Sequence, residues 1–205
     1  MTREPAASGV PYYSQWESAG LVAEFVAGTV PAAQDPRWAD SGAASPQEYE
    51  FWARRVCGLA CLKMILAARS VPVPPMMRLV EHALHWGAYV RDGDSVAGLI
   101  YQPFADWVGA GFGVVAKVLP ELPAALIESA SPQAPVIASV HSWIRWPDRV
   151  PPARGGHLVL VTGMAGGLIR LHNPSGLPGV SQQDALISPA AFGRFFAGRG
   201  LLIAG

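Results

Sequence analysis

Charge is scarce in this sequence: 15 Lys+Arg and 15 Asp+Glu make up 15% of 205 residues, against roughly a quarter in an average domain. The two signs cancel, so no basic surplus exists to neutralise a nucleic-acid backbone or to hold an anionic membrane surface, and neither partner is expected. Cysteine is nearly absent. The two present, Cys57 and Cys61, stand four positions apart, which rules out a disulfide framework and makes a bridge along one helix geometrically awkward; both are expected as free thiols. Missing too are the basic start and apolar run of a secretory signal, and any stretch approaching the ~18 apolar residues of a membrane span. A cytoplasmic protein with no membrane span is the expectation. What is plentiful is apolar surface to bury: 51% of residues are hydrophobic, enough for one domain over residues 1–205. The 22 glycines and 19 prolines are scattered between apolar segments and mark turns.

Helical signals dominate the first half. Residues 16–44 show no clear periodicity, but Ser45-Pro46-Gln47-Glu48 supplies an N-cap, a proline suited to the first turn and a glutamate placed for a capping box, predicting a short helix through Trp52. From about Val56 to Ala68 the leucines at 59, 62 and 66 recur at helical spacing with Lys63 the only charge, predicting a buried helix with Cys57 at its first turn. A further helix is predicted over Met76–Trp86, ending at Gly87, and shorter ones over Phe104–Val108 and Pro123–Ser129. Strand character rises later. Residues 111–118, Pro135–His141 and His157–Thr162 read as strands, Ala165-Gly166-Gly167 as a hairpin turn into Leu168–Leu171, Ser188-Pro189 as the start of a helix through Phe196, and Leu201–Ala204 as a closing strand. Helices early and antiparallel strands late predict an α+β domain.

Nucleophilic chemistry has one coherent set of candidates. A thiol at a helix N-terminus meets unpaired N–H groups and the positive end of the helix dipole, both favouring thiolate, and Cys57 holds that position, with Gly58 leaving room for a substrate backbone. Its alternative role is that of a small buried hydrophobe, like Cys61. His157 at a strand start is the candidate base, and Asn173, just past the hairpin's second strand, comes roughly opposite it, where its amide can accept from or donate to the ring. Equally, Asn173-Pro174-Ser175-Gly176 suits a plain surface turn.

Taken in order, Val10-Pro-Tyr-Tyr-Ser-Gln15, Cys57-Gly-Leu-Ala-Cys-Leu-Lys-Met64, Gly156-His157-Leu-Val-Leu-Val-Thr-Gly163 and His172-Asn173-Pro174 resemble a C39-like cysteine peptidase of the papain-like superfamily. The resemblance implies a papain-like α+β fold with the Cys57 helix packed on an antiparallel sheet. It also implies Cys57 as nucleophile, His157 as base, Asn173 as the group orienting it and Gln15 as an oxyanion-hole donor. Leu59 stands where relatives often have proline, and Asn173 where many have aspartate. Because 41 residues separate Gln15 from Cys57, its assignment requires residues 16–56 to loop out, with an insert expected at about 16–44, and Gln47 is the competing donor. The implied activity is hydrolysis of a peptide or amide bond in a peptide or protein substrate, with no cofactor and no metal. The alternatives are an acyl or peptidyl transferase sharing the same thioester, and a peptide-binding domain without turnover. Glu81, His82 and His85 lie at helical spacing but lack a third clear metal ligand. His172 is expected to point away from the site, His141 to end a strand, and Gly109–Gly113 to form a turn.

Overall fold

The structure, a computed structural model, describes residues 7–204, and over them the chain is α+β. The expected lack of a secretory signal rests partly on residues 1–6, which lie outside the described residues. No helix among the described residues is long and apolar enough to cross a membrane. Beside a small antiparallel pair, β1 (Arg91–Asp92) and β2 (Ser95–Val96), a six-stranded sheet forms the centre: β3 (Ala116–Leu119), β4 (Val136–Val140), β5 (His157–Ala165), β6 (Leu168–His172), β7 (Ala185–Ile187) and β8 (Phe196–Ile203). Their order is β3-β8-β4-β5-β6-β7, every neighbouring pair antiparallel. β8, foreseen as a brief tail from Leu201, is eight residues long and threads between β3 and β4. Its glycines hid it: a side chain at Gly200 would collide with the Ile137 carbonyl across the ladder, so strand pairing there demands the residue that strand propensity disfavours. β7 also escaped the sequence pattern, being three residues on the sheet edge.

Alternation along the strands divides the core. Ile137, Leu158, Leu160 and Leu201 face one side, where they meet α3 (Cys57–Ala68) and its neighbours α4 (Met76–His85) and α5 (Tyr101–Phe112). Ala138, Val159, Val161 and Ile169 face the other, under α7 (Pro189–Phe195) and α6 (Ala124–Glu128). In α3 Leu59, Leu62 and Leu66 are fully buried, each stabilising by about 1.5–3 kcal/mol relative to exposure. Ser188 caps α7 by accepting from the Ala191 N–H at 3.2 Å, as its sequence signature implies. α5 runs past its predicted end: Pro103 sits in the first turn, where no intrahelical N–H is required, and the helix continues through Gly109–Phe112 to stop at Gly113 in left-handed conformation (φ 66°). Those glycines are therefore helix, not turn, and β3 begins only at Ala116.

Residues 16–44 are ordered despite their unpatterned sequence. They carry α1 (Val22–Ala27) and three short 3-10 turns, and bury Trp16, Val22, Phe25 and Ala32 against Tyr49 and Ala53 of α2 (Pro46–Ala53) in a separate small core. Asp35 ties the segment down, accepting from the Ser18 and Arg37 N–H groups at 3.1 and 2.9 Å and from the hydroxyls of Ser18 and Tyr49. Burial opposes ionisation of Asp35, but those donors together hold its carboxyl below the usual range. At α2 the Ser45 cap accepts from Glu48 N–H at 3.1 Å, while the Glu48 carboxylate accepts from Ala44 N–H instead of Ser45 N–H.

Candidate functional site

A cleft of about 770 Å³ opens where the start of α3 meets the start of β5. Cys57 lines it half-buried, while Cys61, one turn deeper, is fully buried. As the first residue of α3, Cys57 contributes one of the N–H groups that no intrahelical carbonyl can accept from. At Gly58 the start of α3 packs against Leu158, the residue that follows His157 in β5. This close approach explains Gly58: a Cβ there would stand 2.8 Å from Leu99 Cδ2 and 3.1 Å from Leu158 Cδ1. The space beside Gly58 is thus filled by the protein's own leucines, and the expectation that it admits a substrate backbone is corrected.

His157 is the first residue of β5, reached through Gly155 and Gly156 at φ 86° and 88°, a conformation that glycine adopts without strain. Its Nε2 lies 2.8 Å from Asn173 Oδ1. The same amide atom accepts the Ser175 N–H at 3.1 Å, so it must be oxygen, since nitrogen would set donor against donor. An oxygen that only accepts requires the ring hydrogen on Nε2. Nδ1 is left as the basic nitrogen. The open choice between an accepting and a donating amide is therefore resolved in favour of accepting.

The Asn173–Gly176 turn is not at the surface: Asn173 and Ser175 are both 0% exposed. Ser175 was missed in the sequence although it stands in the same tetrapeptide. Its Oγ lies 3.0 Å from His157 Nε2 and accepts from Arg145 Nε and Nη2 at 3.1 and 2.8 Å, while its carbonyl accepts from Arg145 Nε at 2.7 Å. Arg145, in the 3-10 turn Ser142–Arg145, carried no local signal because its partner is 30 residues away. Strand register alone does not oppose His157 to Asn173: Leu160 pairs with His172 and a bulge follows between Val161 and Gly163, so the buried turn has to fold Asn173 back onto the ring.

Gln15 is 95% buried and lines the same cleft, whereas Gln47 is exposed on α2 and does not. Its backbone N–H donates to Pro174 O at 2.9 Å and its Nε2 to Ala53 O at 2.7 Å, so one residue ties the helical layer to the Asn173 turn. The Tyr12 hydroxyl strengthens that strap by donating to Asn173 O at 3.0 Å. Nε2 retains a second hydrogen, and Oε1 has no partner among the described residues.

Electrostatics correct one expectation. Burial pushes the Cys57 thiol above its ordinary value, and this outweighs the backbone N–H groups and the Arg145 charge that favour thiolate. Burial, with Arg145 adding repulsion, lowers His157 to about 3 against the help of Asn173. At rest the pair is a neutral thiol and a neutral imidazole. Three of the other histidines have structural partners. His172 bridges Val10 O and the Asp184 N–H, both at 2.9 Å, and His141 Nδ1 accepts from Trp143 N–H at 3.2 Å. His82 stacks on Trp107, and no cluster of three or more metal-ligating side chains occurs among the described residues.

Fold and site together define an α+β protein with a cysteine and a tautomerically fixed histidine lining one cleft and a buried asparagine behind the histidine. No protein-family model matches the chain, and no curated protein matches it.

Proposed function

We propose that the chain is a papain-like cysteine peptidase of the C39-like kind, hydrolysing a peptide or amide bond with Cys57, His157, Asn173 and Gln15. The observation that carries this reading is the Asn173–His157 bond, which by fixing hydrogen on Nε2 leaves Nδ1 as base in the cleft that Cys57 lines. His157 Nδ1 takes the Cys57 proton as the sulfur attacks the substrate carbonyl carbon. The Cys57 N–H and the free hydrogen of Gln15 Nε2 receive the oxyanion. The imidazolium then protonates the departing amine, leaving a thioester. Water, losing its proton to Nδ1, attacks that thioester, and the acid leaves as the thiol is re-formed. Starting from a neutral pair, ionisation is confined to the moment of attack, and the Asn173 and Ser175 acceptors at Nε2 hold the ring through it.

Iodoacetamide alkylation near neutral pH, located by peptide mass analysis, tests the pairing without a known substrate. Alkylation at Cys57 should slow by about 10²-fold or more in His157→Ala, the scale of a lost general base. An unchanged rate would overturn the proposal. For the working enzyme, product masses with and without added amines separate hydrolysis from acyl transfer.

A further inference from the structure

The cleft is charged in one sense only. Arg54, Arg55, Arg145 and Arg199 line it, and no acidic side chain does among the described residues, although the chain as a whole has as many acids as bases. The four come from three separate stretches: the residues leading into α3, the 3-10 turn before β5, and β8. Of the four, only Arg54 has a carboxylate partner among the described residues, Glu50 Oε1 at 3.2 Å. Arg55 lies over the Phe51 ring, 4.1 Å from its centroid, and donates to the carbonyls of Phe51 and Asp94. Arg145 is the most telling. Partly buried, it spends Nε and Nη2 on the neutral Ser175, and Nη1 has no acceptor among the described residues. A guanidinium withdrawn from water without an opposite charge is costly, so such a group beside a reacting sulfur points to an anion brought from outside. Planar guanidinium groups match carboxylates in geometry, and a peptide carries these without modification.

Resting on the proposed function, we infer that this cleft takes peptide substrates bearing a carboxylate next to the scissile bond, held by Arg145 and Arg199. A carboxylate against Arg145 would also relieve the repulsion that disfavours an imidazolium at His157, so the substrate itself eases the proton transfer.

Paired alkylation by iodoacetate and iodoacetamide reads the field at the sulfur, because the reagents differ mainly in charge. The iodoacetate-to-iodoacetamide rate ratio at Cys57 should exceed that of N-acetylcysteine by about tenfold in dilute buffer, the low end of electrostatic focusing in a cleft. It should fall towards the reference in Arg199→Gln, and in ~1 M salt, where screening acts within a few ångströms. Protection of Cys57 from iodoacetamide then separates the sources of the carboxylate: peptides with Asp or Glu against Asn or Gln test a side chain, and free against amidated C-termini test the terminus. A ratio equal to that of N-acetylcysteine, or protection by neither kind of acid, overturns the inference. The His157→Ala comparison judges the peptidase reading separately, and no labelling by either reagent sinks both.

Discussion

The two walls of the cleft are held in place by different forces. On the sulfur side, Cys57 belongs to a helix with no side-chain cap, positioned by apolar packing of Leu59, Leu62 and Leu66 beneath the sheet. On the imidazole side, directed bonds do the positioning: Asn173, Ser175 and Arg145 form a chain of donors and acceptors that fixes both the tautomer and the plane of His157. Packing tolerates small shifts and sets where an atom lies; hydrogen bonds set which way it faces. A thiol on a single rotatable bond needs the first, and an imidazole with two distinct nitrogens needs the second. Gln15 belongs to both walls, bonded to Ala53 on one and Pro174 on the other.

The contrast is tested most strongly on the packed wall. Leu62→Ala should lower unfolding free energy by about 2–5 kcal/mol, the range for emptying a fully buried leucine site, as measured by urea denaturation. On the shared residue, Gln15→Ala should reduce kcat by about 10²–10³-fold, as for loss of one oxyanion donor, while Gln47→Ala stays within about twofold. Comparable losses in the two variants would remove Gln15 from the oxyanion site. On the bonded wall, Asn173→Ala should cost about 1–3 kcal/mol, the penalty of orphaning the buried Ser175 N–H. Activity in that variant should fall further than stability predicts, because the ring is free to turn.

Acid titration gives a gradual effect, spread over several pH units. His157 is lowered to about 3 in the folded protein, so between the ordinary value of 6.5 and about 3 the unfolded chain binds a proton that the folded one refuses. Stability therefore rises with pH across that window and is lost as pH falls through it, by about 1.4 kcal/mol per pH unit from this group. His172, also lowered mainly by burial, adds in the same direction. Urea midpoints taken from pH 7 down to pH 4 should show a slope that His157→Gln makes shallower by that amount. An identical slope in the variant would show that the imidazole is not held neutral.

Much of this was visible in local sequence. The capped starts at Ser45 and Ser188, the leucine spacing of α3, the β-branched runs of β4 and β5 and the double glycine at 166 and 167 (φ 58° and 79°) each state their conformation within a few residues. The site was legible as far as its members are marked by such local features: a thiol at a helix start, a histidine at a strand start, an asparagine at a turn. Other parts were not. Residues 16–44 fold around Trp16, Phe25 and the buried Asp35 with no periodic stripe, because their core closes on itself and on α2. β8 is a strand only because a glycine-rich segment fits against Ile137.

Composition and pattern along the chain were sufficient for the mixed helix-and-strand class, the boundaries of the strongest elements and the chemical types able to do thiol chemistry, since these depend on propensities felt within one turn or one strand. Which atoms meet was settled by folding across long separations. Asn173 as acceptor, Ser175 and Arg145 behind His157, and the neutral state of the thiol arise from burial and from partners 16 to 30 or more residues away, which no local pattern encodes.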